Sequence, residues 1–347
     1  MKKKKQIRVL IADDSALMRI LINDIINTDP DISVVGKANN GKTAFLLTKE
    51  LKPDVVLMDV NMGEYDGIYG VVEIMKYCPT PIIILSSIGN VDMNPILEGL
   101  ELGAIDYLNK PAKNRVNMDE VKQDLIRKIK VASTVNLEEV LENPVTANIN
   151  EHSFDKMVSY DCIVLGASTG GPRALERILT HLPKNLTIPV IIAQHMPASF
   201  MLAFAKRLNQ LTPLEVSIAK QGSKLVAGNV YLAPGDANLT IEYRGRNYVF
   251  AVTKKQFAAY NNPSIDALML SVAKNYKERA IGVVLSGMGK DGAIGLKAMK
   301  VAGSYTVAQS EASCIVYGMP KAAVEIDAVK QVVHLDEIAA FLVSCLA

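Results

Sequence analysis

The chain is poor in cysteine. The four it has (Cys78, Cys162, Cys314 and Cys345) fall at none of the spacings of a metal site or a disulfide framework. They read as reduced thiols, which points to a cytoplasmic protein. Long apolar runs are also missing: none approaches the roughly 20 residues a membrane helix needs, which excludes membrane insertion. Residues 2–5 are all lysine and precede IRVLIADD, a superficial likeness to a signal peptide, but Arg8, Asp13 and Asp14 interrupt any apolar centre. No block of lysine and arginine is interleaved with aromatics, so nucleic-acid binding has no support. There is no short-period repeat and no low-complexity array. Histidine is scarce. Of the four, His152 lies in a linker-like stretch, His181 near a helix end and His334 late in the chain, and these read as surface or structural. The fourth, His195, ends the apolar run IPVIIAQ.

What is present suits two cores. A chain of 347 residues with 49% hydrophobic content is long enough for two domains. The formal net charge of +2 is unevenly spread: residues 1–130 are balanced, 131–158 hold five acidic groups against one lysine, and 159–347 hold 19 basic groups against 13 acidic. A mildly basic second half would suit an acidic protein substrate, and ordinary surface charge explains it as well. Over residues 1–130, strand patterns at 7–12, 32–37, 54–59, 81–86 and 104–108 alternate with amphipathic helical stretches. Ser15 is placed to cap the first helix, and the fifth should end near Lys130. This alternation predicts a doubly wound α/β domain. Residues 131–158 lose apolar periodicity, contain Asn143-Pro144 and read as a linker with a short helical stretch at 137–141. A second α/β series occupies 159–347, with strands long and β-branched enough to lie buried in a mostly parallel sheet, and a hairpin-like segment at 239–251 turning at 244–247.

In sheets of this kind the ligand crevice lies beyond the carboxyl ends of the strands, so the residues just after each strand matter most. In the first domain, Asp13 and Asp14 end the first strand and Asp59 the third; Ser86 ends the fourth, and Lys110 follows the fifth. A flavodoxin-like strand order would gather them at one edge. Three carboxylates repel, and a hard divalent cation such as Mg2+ relieves that repulsion. Ser86 and Lys110 could then hold a phosphoryl group on Asp59. In the second domain, Ser168 follows CIVLGA, His195 follows IPVIIAQ, and Asp291 follows IGVVLSGMGK. Together they are the parts of a serine hydrolase. Gly166-Ala167-Ser168-Thr169-Gly170 satisfies G-x-S-x-G, a sharp turn that exposes the hydroxyl, with a helix starting near Pro172. The bland alternatives are a chance glycine match, a structural strand-end histidine and an aspartate that merely caps a helix at Gly292. A dinucleotide site is the other reading, but the glycine spacing is not G-x-G-x-x-G. The chain order Ser…His…Asp also differs from that of α/β-hydrolases, so a different fold carries this chemistry.

Residues 7 to 130 resemble the receiver domain of two-component response regulators, through Asp13-Asp14, LMDVNM around Asp59, Asp66-Gly67, Ser86-Ser87, GAIDYLNKP and Lys110. The resemblance implies a flavodoxin-like (βα)5 fold, phosphorylation of Asp59 by a partner histidine kinase with Mg2+, a backbone carbonyl of Asn61 as a further metal ligand, and a switch through Ser86 and Tyr107. Gly63 departs from the family, which usually has proline there.

Residues 159–347 are similar to the catalytic domain of the chemotaxis protein-glutamate methylesterases, the CheB family. The motifs are GASTGGP, IIAQHMPASF, VYLAPGD, NPSIDALMLSVA, LSGMGKDGAIGL and AQSEASCIVYGMPKAA. That resemblance implies hydrolysis of γ-methyl esters on chemoreceptor glutamates, releasing methanol, and deamidation of receptor glutamines. It implies Ser168, His195 and Asp291 as the triad, and Thr169 and Met288 as backbone donors to an oxyanion. No cofactor is needed for the ester chemistry. It further implies a receiver that covers the catalytic crevice until phosphorylated. Asn238 and Ser310 depart from the family, which affects fine substrate contacts. Methylated chemoreceptors and a chemotaxis histidine kinase are the implied partners, and a monomer is expected. The competing functions are a signalling adaptor that uses the hydrolase fold for docking, and an esterase of the same fold in a non-chemotaxis pathway.

Overall fold

The computed structural model describes residues 6–86, 94–110, 118–137, 159–257 and 263–346. It divides into two compact units, Met1–Glu138 and Glu139–Ala347. The expected helical stretch at 137–141 lies, beyond Leu137, outside the described residues, as do Ser87 and Pro111.

The first unit is a five-stranded sheet in the order β2-β1-β3-β4-β5. The strands are β1 (Ile7–Ala12), β2 (Ile32–Ala38), β3 (Val55–Asp59), β4 (Ile82–Ser86) and β5 (Asp106–Asn109), alternating with helices α1 (Ala16–Ile26), α2 (Gly41–Leu51), α3 (Gly67–Tyr77), α4 (Asn94–Glu101) and α5 (Met118–Ala132). All its pairings are parallel. β3 and β4 are buried at every position, which is why they read as unbroken apolar runs. Ser15 does cap α1, its hydroxyl accepting from Met18 N at 3.3 Å. The fifth strand begins at Asp106 rather than 104. Gly103 and Ala104 instead close α4, with Ala104 N donating to Gly99 O and Gly103 N to Leu100 O, and the ladder resumes at Ile105, which donates to Ile82 O.

The second unit is built on a seven-stranded sheet in the order β14-β13-β12-β6-β7-β9-β8, every pair parallel. Its central strands are β6 (Cys162–Ala167), β7 (Val190–Gln194) and β12 (Ala280–Val284). They are flanked by β8 (Glu215–Ile218), β9 (Asn229–Leu232), β13 (Tyr305–Gln309) and β14 (Gln331–Val333). The three central strands carry no exposed residue, so their carboxyl ends are fixed by the core itself. The hairpin is β10 (Asn238–Arg244) with β11 (Asn247–Thr253), a separate two-stranded ribbon turning at Gly245-Arg246.

The ribbon is latched to a helix, α8 (Ile265–Tyr276), which follows α6 (Gly171–Leu179) and α7 (Ala198–Leu211) among the described residues of this unit. Ile241 N donates to Ser271 Oγ, Asn275 Nδ2 to Ile241 O, and the Tyr248 hydroxyl to Asn275 O. Leu239, Ile241 and Phe250 of the ribbon join Leu268, Met269 and Val272 of α8 in one buried cluster. Each such side chain contributes about 1.5–3 kcal/mol on full burial. This packing holds the N-terminus of α8 at the place where the site is built. Further along the described residues are α9 (Ala293–Val301), α10 (Met319–Glu325) and α11 (Leu335–Ser344). Among the described residues no helix is long and apolar enough to cross a membrane.

Candidate functional site

Ser168 is the first residue after β6, in the turn that leads to α6. Gly170 takes φ +76 there, a conformation costly to a side chain, and so lets the strand reverse into the helix within three residues. Ser168 N donates to Ser286 O at 3.0 Å and Ser168 O accepts from Gly171 N at 2.7 Å, which fixes the turn at both ends. His195 follows β7, the strand next to β6, and its N donates to Ala167 O at 3.0 Å. Neighbouring strand ends thus put imidazole beside hydroxyl: His195 Nδ1 lies 3.2 Å from Ser168 Oγ.

The other ring nitrogen, Nε2, lies 2.8 Å from Asp291 Oδ2. Since a carboxylate only accepts, Nε2 carries the hydrogen and the Nδ1 lone pair faces the serine. The ring is used in the opposite sense from the serine proteases, where Nε2 faces the nucleophile. Asp291 does not act as a side-chain cap for α9, whose first turn starts at Gly292 without one. Its carboxylate reaches across to α8. Oδ1 accepts from Asp266 N at 2.9 Å, Gly292 N at 3.0 Å and Ser264 Oγ at 3.2 Å, while Oδ2 accepts from Ile265 N at 2.8 Å. The helix N-terminus and these donors hold a charge that is only 2% exposed.

The loop carrying Met288 passes directly over the serine. A Cβ on Gly287 would sit 2.7 Å from Ser168 Cβ, so a side chain there is excluded. The structure therefore brings the backbones of Thr169 and of 287–288 to Ser168. Asn238 is buried, with Oδ1 accepting from Ser264 N at 2.6 Å and Nδ2 donating to Lys255 O at 2.9 Å. Its amide thereby braces Ser264, whose hydroxyl donates to Asp291. Ser310 pairs with Ser313 through their hydroxyls at 3.0 Å. His181 is exposed and His334 caps α11.

In the first unit the ligand atoms of Asp13, Asp14 and Asp59 all lie within 4.8 Å of one another. Lys110 Nζ reaches Asp13 Oδ2 at 2.8 Å and Asp59 Oδ2 at 2.7 Å. Burial pushes the Asp59 carboxyl above the ordinary range; Lys110 opposes that, and the neighbouring Asp13 adds to it. Asp13 Oδ2 is fully buried, with the Lys110 ammonium as its ion-pair partner. Three carboxylates that offer oxygen donors this close together fit Mg2+. Asn61 N donates to Asp59 Oδ1 at 3.3 Å. Ser86 and Tyr107 are buried on adjacent strands, and Lys128 Nζ lies over the Tyr107 ring at 5.3 Å. Gly63 adopts φ +75, which proline cannot, so this loop follows a path that the usual proline would forbid.

Fold and sites together define the class: a receiver domain in one chain with an α/β domain that gathers serine, histidine and aspartate on the carboxyl side of its sheet. Residues 163–342 match the CheB methylesterase family and residues 9–122 the response regulator receiver domain. The chain is 39% identical over 340 residues to the protein-glutamate methylesterase/protein-glutamine glutaminase of Halalkalibacterium halodurans, covering 97% of each. It is 37% identical to the protein of the same name from Archaeoglobus fulgidus, covering 96% of each. The crystal structure of the Thermotoga maritima CheB methylesterase catalytic domain superposes with a TM-score of 0.52 at 36% identity, over 54% of this chain and 99% of that one. The chain belongs to the CheB methylesterase family.

Proposed function

We propose that this protein hydrolyses the γ-methyl esters of chemoreceptor glutamates, deamidates receptor glutamines at the same site, and is activated when a chemotaxis histidine kinase supplies a phosphoryl group to Asp59. The observation that carries the catalytic half is the continuous relay Ser168 Oγ–His195–Asp291, at 3.2 and 2.8 Å. His195 Nδ1 takes the serine proton as Oγ attacks the carbonyl carbon of the γ-carboxyl group. The imidazolium that forms keeps its Nε2 hydrogen on Asp291, whose charge is stabilised in advance by α8. The backbone N–H groups of Thr169 and Met288 receive the oxyanion, and such a donor is typically worth on the order of 10²–10³ in rate. His195 then returns its proton to the departing methanol or ammonia. Water attacks the acyl-enzyme by the same route in reverse and leaves a glutamate. Ester and amide share the same acyl carbon and pass through the same tetrahedral intermediate, so one site serves both.

For the regulatory half, Asp13, Asp14 and Asp59, with the Asn61 carbonyl, would hold Mg2+. The ion supplies charge neutralisation for a phosphoryl group at Asp59. Lys110 is within reach of the same carboxylate, and Ser86 ends the neighbouring strand.

The test is methanol release from methyl-labelled chemoreceptor membranes by wild type and Ser168→Ala, each with and without Mg2+ and a small phosphodonor. Stimulated release that vanishes in Ser168→Ala is the expected result. Absence of release by the wild type under every condition would turn the reading to an adaptor or to another ester.

A further inference from the structure

Gln194 is the last residue of β7, 1% exposed and adjacent to His195. Its side-chain amide donates twice from one nitrogen: Nε2 to Ser168 O at 3.0 Å and to His195 O at 3.0 Å. Both partners are carbonyls, which only accept, so the orientation of the amide is settled by chemistry. The oxygen Oε1 is buried without a hydrogen bond. It rests against Gly171, where a Cβ would come within 2.1 Å of Oε1 and 3.0 Å of Cδ. Leaving a buried amide oxygen unpaired costs on the order of 1–3 kcal/mol. The fold bears that cost, and what it obtains is a strap between the main chains of the proposed nucleophile and base.

The strap does something further. A peptide group is planar, so the direction of the Ser168 carbonyl sets the direction of the Thr169 N–H on the opposite side. Two donors, Gly171 N at 2.7 Å and Gln194 Nε2 at 3.0 Å, grip that carbonyl. We propose that Gln194 is a positioning residue for hydrolysis: it orients the Ser168–Thr169 peptide so that its N–H meets the oxyanion, and it holds the His195 backbone at a fixed distance from Ser168. This rests on Ser168 being the nucleophile. The loss should fall on the transition state, since the oxyanion exists only there, and it should leave substrate binding and the ionisation of His195 alone.

The experiment is steady-state methanol release from methylated receptor membranes by the full-length protein, comparing wild type, Gln194→Met and Gly171→Ala, with Ser168→Ala as the control. Gln194→Met keeps the volume and removes both donors. Gly171→Ala leaves the amide in place but pushes it off its carbonyls. Each should lower kcat on the order of 10²-fold with KM within about twofold of wild type and the acid limb of the pH profile unmoved. Circular dichroism decides which variants are folded. If Gln194→Met does not fold, Gly171→Ala carries the test, because it deletes no buried group. A folded variant whose kcat stays within about threefold of wild type overturns the proposal. So does a loss that appears in KM, or one that moves the acid limb, since a loosened fold or a disturbed His195 would produce those instead. Wild-type rates in Ser168→Ala would remove the nucleophile itself, and that failure shows in the control alone.

Discussion

Asp59 closes β3 and Asp291 lies in the loop between β12 and α9, each on the carboxyl side of a parallel sheet and each only 2% exposed. Their surroundings differ completely. Asp291 is filled: three backbone N–H groups, the Ser264 hydroxyl and His195 Nε2 all donate to it. Asp59 faces one ammonium at 2.7 Å and one backbone N–H at 3.3 Å, with Asp13 beside it. A carboxylate saturated by fixed dipoles has nothing to gain from moving or reacting, and so serves to orient another group. A carboxylate short of donors and next to a like charge gains by taking up a cation, which suits a group that must change state. One fold principle thus yields an anchor in one domain and a receptor for charge in the other.

The sharpest way to break this comparison is to spoil the anchor. In Asp291→Asn the three donors at the Oδ1 position hold the amide oxygen, which turns the amide nitrogen toward Nε2. The imidazole is then driven to the tautomer with its hydrogen on Nδ1, pointing at Ser168. The expected loss in kcat is on the order of 10⁴-fold. A loss below about tenfold in the methanol assay would show that orientation by Asp291 matters little. Next in size is Asp59→Asn, expected to abolish the increment that Mg2+ and a phosphodonor add to the rate. An increment equal to that of wild type would separate Asp59 from the switch.

The third prediction turns on protons. Burial holds the Asp59 carboxyl above the ordinary range, so its proton competes with a cation at higher pH than an ordinary aspartate's would. Mg2+ affinity, measured by calorimetric titration, should fall by about tenfold per pH unit once the pH drops below that raised value. Asp13 contributes to the rise, so Asp13→Asn should shift the onset of the loss to lower pH. The same onset in both proteins would assign the competition to another group.

The strand-end residues could be read from sequence because a buried parallel strand is an unbroken apolar run, and the first polar residue after it marks the edge. Ser168 and Asp59 are such residues, and His195 and Lys110 each come one position after a polar strand end, Gln194 and Asn109. What could not be read is whatever depends on backbone atoms far along the chain. Gln194 looks like the polar end of a strand, but its meaning lies in a carbonyl 26 residues earlier. Nothing around Asn238 in the sequence tells that its amide supports Ser264 across 26 residues of chain. Even the start of β5 was displaced by two residues, because the close of α4 consumed Gly103 and Ala104. The run QHMP was the available signal for Gln194, and nothing in it specifies a double donor.

The smallest effect concerns the carboxyl behind the anchor. Asp266 donates its N–H to Asp291, while its own Oδ1 accepts from Gly295 N in α9 at 2.6 Å. The aspartate preceding α9 thus serves α8, and an aspartate of α8 serves α9. Asp266 Oδ2 is buried with no partner, and burial, with Asp291 as a further cause, pushes the group up to about 6. Between its unfolded value near 4 and about 6, the folded protein holds a proton that the unfolded chain has released, so stability falls as pH rises through that window and is flat above it. Asp266→Asn keeps the acceptor for Gly295 and removes the titration. Urea unfolding followed by circular dichroism from pH 4 to 8 should therefore show the wild type losing on the order of 2 kcal/mol more than the variant across that range. Parallel curves would mean that Asp266 stays ionised throughout and that the two helices hold a pair of anions in place.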